Sequence, residues 1–152
     1  MGLNDFNLDL TLIEQRLKAA GLHVEGALEM PVLVDRPLLQ DTVFVLPLED
    51  QGEEPDEIGG PDIQQYSPEQ FGVVLGLRSP GDATGASSTA AFVALRQKVK
   101  AALVGLIIGE FEPIHFVGGR IVTVNKQTQN VLYQLQFQTA HNVVTEVQNY
   151  GD

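Results

Sequence analysis

Residues 131–139 read VLYQLQFQT, and the reading of this stretch decides the fold. Val131, Tyr133, Leu135, Phe137 and Thr139 alternate with Leu132, Gln134, Gln136 and Gln138. Such a two-residue period belongs to a strand, whose successive side chains point to opposite faces. One face is therefore expected in the core, and the other is polar but uncharged. Just upstream, residues 112–124 (EPIHFVGGRIVTV) form a second strand, joined to the first by the polar NKQTQN at 125–130. Gly118 and Gly119 interrupt that strand without opening a helix, so they predict a bulge or a tight backbone bend rather than a nucleotide-binding loop.

Moving outward, Phe92, Leu95, Val99, Ala102, Leu103 and Leu106 recur on one stripe and predict a helix over 89–108, with Ser87 or Ser88 as N-cap and Gly109 as the stop. Its other flank carries Arg96, Lys98 and Lys100, then turns apolar at Val104, Ile107 and Ile108. A helix end that is apolar all round must be covered by something. At the N-terminus, Leu8, Leu12, Ile13, Leu17 and Ala20 predict an amphipathic helix ended by Gly21. Between the helices, TVFVLPL (42–48) and EQFGVVLGLRS (69–79) read as strands, with Pro31, Pro37 and Pro47 assigned to edges or connections. The order helix, strands, helix, hairpin gives an α+β fold: a mixed, mainly antiparallel sheet packed against two main helices. A chain of 152 residues is the size of one such domain.

The charge is concentrated in one place. LEDQGEEPDEIGGPDIQQ (48–65) holds Glu49, Asp50, Glu53, Glu54, Asp56, Glu57 and Asp62 with no positive charge. Its glycines and prolines predict a loop at about 49–63, and PGDATGASS (80–88) a second loop at about 79–88. The net charge of -11 lies wholly in the first 80 residues, where 15 acids face four bases; beyond them five acids meet five bases. A field of this sign repels phosphate backbones and disfavours nucleic-acid binding as the main task, while leaving room for DNA to pass without sticking. A calcium loop is a poor fit, because Gly52 comes too early and Pro55 lies inside the run.

No catalytic, cofactor-binding or metal-binding residues are expected. His23, His115 and His141 stand apart from one another, TGASST lacks the second glycine of a nucleophile elbow, and there is no cysteine. The opening residues carry acids where a secretory signal needs bases, and no apolar run approaches a membrane span, so no membrane association is expected. The trio Arg96, Lys98 and Lys100 reads either as a solvated helix flank or as a partner for the acidic loop of a neighbouring copy.

Residues 95–141, LRQKVKAALVGLIIGEFEPIHFVGGRIVTVNKQTQNVLYQLQFQTAH, carry a resemblance. A helix ending in ALVGL, a short link, EPIHFVGGRIV, a polar turn and VLYQLQFQT resemble the C-terminal half of the phage tail terminator family, the group related to the Gp37-type proteins of Mu-like phages. The opening helix with IEQRLKAA and the strand TVFVLPL fit the same order. This chain departs from its relatives in lacking tryptophan and in its long acidic loop. The resemblance implies a tail-terminator-like fold and a non-enzymatic virion protein that forms a homohexameric ring on the head-proximal end of the tail tube. Its implied partners are itself, the tail tube protein and the head or neck connector, at the head–tail junction, after assembly in the host cytoplasm. Rival readings are a head-completion or neck protein, and a small-ligand-binding or hydrolytic domain. The expected interface residues are Glu49, Asp50, Glu53, Glu54, Asp56 and Glu57 of the loop, Arg96, Lys98 and Lys100 of the helix, and Leu132, Gln134, Gln136 and Gln138 of the strand.

Overall fold

A computed structural model describes residues 6–33, 35–56, 60–78 and 86–151. The N-terminal helix α1 spans Leu10–Ala19 and starts where the Asp9 side chain accepts the Thr11 N–H at 3.0 Å. That bond satisfies one of the donors a helix start leaves open. Strand β1 (Val24–Gly26), a 3-10 turn at Ala27–Glu29 and a four-residue helix α2 (Met30–Leu33) follow. Then come β2 (Thr42–Asp50), β3 (Asp62–Arg78), the long helix α3 (Ala86–Leu103), β4 (His115–Asn125) and β5 (Asn130–Glu146).

The five strands form one sheet in the order β1-β2-β3-β5-β4, parallel between β1 and β2 and antiparallel elsewhere. This is the expected α+β architecture. Odd-numbered residues of β2, β3 and β5, among them Val43, Val45, Phe71, Val73, Leu75, Leu135 and Phe137, pack with Ile13, Leu17, Leu95, Val99 and Leu103 of the helices into the main core. The helices thus cover one face of the sheet. On the opposite face a small cluster of Phe44, Val74 and Leu132 is covered by Met30 and Leu46.

Several boundaries differ from the sequence expectation for identifiable reasons. Helix α3 begins before Thr89, so Ser87 and Ser88 lie inside it rather than capping it, and it ends at Leu103, not Ile108. The stop is Gly105, at φ +85°, whose N–H donates to the Ile114 carbonyl at 2.8 Å while Ile114 N–H donates to Leu106 at 2.9 Å. This loop folds back and brings buried Phe111 and Ile114 onto the core, with Ile108 packed beside them, while Val104 and Ile107 stay exposed, so the apolar helix end is only partly covered within the chain. In α1, Leu12 is exposed, and Ile13 and Leu17 are the buried anchors. The predicted acidic loop is shorter than 49–63: Glu49 and Asp50 finish β2, and Asp62 opens β3. The loop expected at 79–88 falls on residues 79–85, which lie outside the described residues, and on the start of α3.

Strands β3 and β5 pair without a break from Asp62↔Glu146 to Arg78↔Asn130. Pro68 sits within this run and lacks a donor, yet it breaks no ladder. Its carbonyl accepts the Gln51 N–H, so its nitrogen faces the same side, where the register of β2 shifts between Pro47 and Asp50. Gly119 in β4 lies so close to Tyr133 that a Cβ would stand 2.7 Å from the ring. Register shifts on both sides of it, between Phe116 and Gly118 and between Ile121 and Thr123, give the expected bulged strand.

Candidate interaction surfaces

The helices stop covering the sheet near Phe71, and the strands continue. Residues 62–70 of β3 are half-buried or exposed, whereas Phe71–Leu77 are buried. The overhang, with 138–146 of β5 beside it, forms an arm whose base is still covered at buried Thr139, Ala140 and His141 and whose free end, 62–66 against 142–146, extends about 17 Å at about 3.3 Å per residue. The acidic segment runs along its other side. Gln51 N–H donates to Pro68, Glu53 N–H to Tyr66 and Asp56 N–H to Gln64, and Gln65 Nε2 donates to the Glu53 carbonyl. Residues 51–56 therefore trace an irregular third strand of the arm. Glu49, Asp50, Glu53, Glu54 and Asp56 are all exposed. Glu57 lies outside the described residues. Asp62 and Glu146 face each other across the ladder and add to the same negative field.

At the base of the arm, the Leu8 N–H donates to both carboxylate oxygens of Glu69 at 3.1 Å. Burial pushes the Glu69 carboxyl above its ordinary value, with nearby Asp50 adding to the rise; the Leu8 bond and His141 oppose it. His141 Nδ1 lies 3.6 Å from Glu69, and its ring rests on Phe111 with centroids 4.2 Å apart. This buried histidine packs, as expected of it, but its carboxylate neighbour 72 positions earlier in sequence was invisible to motif spacing. Across the arm the Tyr66 hydroxyl donates to Glu112, which raises the tyrosine above its ordinary value.

The polar sheet face is an amide surface. Gln70 Nε2 donates to Gln138 at 2.9 Å and accepts at Oε1 from Gln136, with Gln134 in the same row. Gln134, Gln136 and Gln138 thus share one half-buried patch, as predicted, and Gln70 joins them from the neighbouring strand. Leu132 does not share it. It is buried against Phe44 and Val74, so its expected interface role is corrected to packing.

The basic trio of α3 is split. Arg96 and Lys100, four residues apart, both lie over the Phe116 ring, at 5.5 and 4.0 Å from its centroid. Lys98 points to the opposite flank and lines a shallow groove between α1 and α3, of about 330 Å³, with Arg16, Ala19, Ala20, Ala101 and Ala102. Arg16 Nε donates to the Ala102 carbonyl at 3.2 Å. Arg16 and Lys18, on the last turns of α1, were not among the expected interface residues. Only the packing of α1 beside α3 makes Arg16 a neighbour of Lys98. Among the described residues no lysine or arginine lies within 4.0 Å of a carboxylate oxygen; the two ion-pair contacts present are His23–Glu25 and His141–Glu69.

A cleft of about 250 Å³ opens elsewhere, lined by Leu77, Arg78, Thr89, Phe92, Ile121, Val131 and Tyr133. Its walls are nearly all apolar, and no carboxylate or histidine lines it. Among the described residues no three His, Cys, Asp or Glu side chains converge as a metal site, and no helix is long and apolar enough to cross a membrane. The surfaces on offer are suited to protein contacts: an acidic arm, an amide face and a basic helix layer.

No curated protein matches the chain. The family described as phage tail terminator protein matches residues 4–147, a span that runs from before α1 to the end of β5 and so includes every element of the sheet and both main helices. The chain therefore belongs to the phage tail terminator family and is a structural protein of the bacteriophage tail.

Proposed function

We propose that this chain closes into a homohexameric ring on the head-proximal end of the tail tube, ends tube polymerisation there, and presents the surface to which the head or neck connector docks. The observation that carries the proposal is the family match over residues 4–147. Within the proposal the protein is non-enzymatic, is assembled in the host cytoplasm, stands at the head–tail junction, and belongs to the Gp37-type group of Mu-like phages. The physical features are consistent with it. A closed head-to-tail ring needs two different complementary patches on each copy, and the arm and the helix layer are different in shape and in sign of charge. The chain's net charge of -11 suits a lumen through which DNA passes without binding.

Native mass spectrometry with negative-stain imaging of the purified protein, over a range of concentrations, tests the ring, and addition to isolated tail tubes tests the cap. The expected results are a six-membered ring and tubes that stop growing with one ring at one end. A chain that forms no ring either free or on tubes, and leaves tube growth unchanged, would overturn the proposal. Binding to the neck connector but not to the tube would replace it with a head-completion role.

A further inference from the structure

We infer that the acidic arm of one copy docks in the basic groove between α1 and α3 of the next, an inference that rests on the ring reading and names the contact that closes it. Three observations lead to it. First, charge is segregated within the fold. Among the described residues the arm carries Glu49, Asp50, Glu53, Glu54, Asp56, Asp62 and Glu146 with no base, while α1 and α3 carry Arg16, Lys18, Arg96, Lys98 and Lys100 against the single acid Glu14, and Arg16 and Lys98 are the two that line the groove. Second, among the described residues these cations have no carboxylate within 4.0 Å. Surface charges of opposite sign usually intermix; two separated blocks without partners form a complementary pair waiting for a second copy. Third, the arm cannot satisfy its own groove. It is an extension of the β3–β5 ladder, held by seventeen consecutive residue pairs, and its base meets Leu8 ahead of the first turn of α1, whereas the groove lies at the last turns of that helix.

The groove suits an extended acidic strand. Its walls are mostly alanine, which lets a backbone approach closely, with Lys98 on the α3 side and Arg16 reaching across from α1 to the Ala102 carbonyl. The arm offers the half-exposed apolar side chains Ile63 and Val147 on one face beside its carboxylates, so the contact buries apolar area as well as pairing charge. Because each copy carries one arm and one groove, the contact is head-to-tail and propagates around a ring. Exposed ion pairs taken singly contribute little, but several held along one groove act as a network and set the register.

Charge reversal tests this, because a head-to-tail contact can be broken from either side and repaired from both. The arm variant E53K/E54K/D56K and the groove variant R16E/K98E change exposed side chains, and far-ultraviolet circular dichroism confirms that each is folded. Assembly is followed by native mass spectrometry of the free protein and by crosslinking on isolated tail tubes. Each variant alone is expected to raise the concentration for half-assembly about tenfold or more. The chain carrying all five substitutions is expected to return towards wild type, and wild-type assembly is expected to weaken between about 50 and 500 mM salt as exposed charges are screened. If the wild type assembles and both variants assemble equally well, or if the five-fold variant stays as defective as either parent, the contact is overturned while the ring reading stands. If the wild type assembles neither free nor on tubes, it is the ring reading that fails.

Discussion

Residues 71–77 and 62–69 belong to the same strand and pair with the same partner in unbroken register, yet the first are buried and the second are not. The body half lies under α1 and α3, where Phe71 and Phe137 stack with centroids 5.5 Å apart and Phe116 meets Phe137 edge-on at 5.8 Å. The arm half is backed by no helix and carries glutamine, carboxylates and scattered aliphatics. Backbone pairing is equivalent in the two halves, so any difference in what they contribute to stability comes from side-chain burial. A sheet that is built past its own core holds surface out for another molecule.

The largest effect is expected in the body. Phe137 is fully buried and touches two other rings, so Phe137→Ala removes both the transfer free energy and the packing around it, about 3–5 kcal/mol. Against a typical total of about 5–15 kcal/mol this is a large share, and urea denaturation would show it as a lowered midpoint or as outright unfolding. A loss below about 1 kcal/mol would mean that the body is not the stabilising half.

Next comes the strand that borders the body. A methyl at Gly119 would stand 2.7 Å from Tyr133, whose ring meets Phe92 of α3 edge-on at 4.9 Å. Gly119→Ala is expected to push Tyr133 off Phe92 and cost about 1–3 kcal/mol. Tyr133→Ala in the same chain frees the space, so the double variant should cost less than the sum of the two singles. Strict additivity in denaturant melts would place the strain somewhere other than this contact.

These two regions also differ in how well the sequence announced them. The alternation at 131–139 was enough to place Leu135, Phe137 and Thr139 inward and the three glutamines outward, because burial under a helix imposes a two-residue period that composition preserves. Beyond Thr139 the same strand reads AHNVVTE, where Ala140 and His141 are buried one after the other and the rest are not, and before Glu69 its partner reads DIQQYSP, so neither segment alternates and a proline intervenes. Both arm segments were therefore missed as strands, and the acidic run beside them read as a free loop although its backbone bonds to Tyr66 and Gln64. The groove was half legible: Lys98 stood out on α3, but Arg16 joins it only through the packing of α1 and α3, which no local pattern encodes.

At the junction of body and arm, Glu69 links the two halves to the N-terminal residues through Leu8. Burial raises its carboxyl above the ordinary 4.5, so just above that pH the folded chain keeps a proton the unfolded chain has released. By linkage, the contribution of this group to stability falls as pH rises through the raised value and recovers below about 4.5. Glu69→Gln removes that proton uptake. The stability of the variant should be flatter with pH than that of the wild type from about pH 4.5 upward, as read by thermal melts. Parallel profiles would show that the carboxylate is not the source of the slope.

The smallest effect is expected at the arm itself, and it is the most direct test of the comparison. Val144 is 38% exposed and pairs with Gln64 across the ladder, so Val144→Ala removes little buried area and should shift stability by no more than about 0.5 kcal/mol. Hydrogen exchange sharpens the point. Amides of 62–67 and 141–146 share their ladder with 71–77 and 131–137 but lack the helix cover, so the arm should open locally and exchange faster, while the body amides exchange only on global unfolding. If arm and body amides were equally protected in the isolated chain, the ladder would be a single cooperative unit, and the arm's stiffness would come from the fold alone. Faster exchange in the free chain that slows on assembly would instead place the missing cover in a neighbouring molecule.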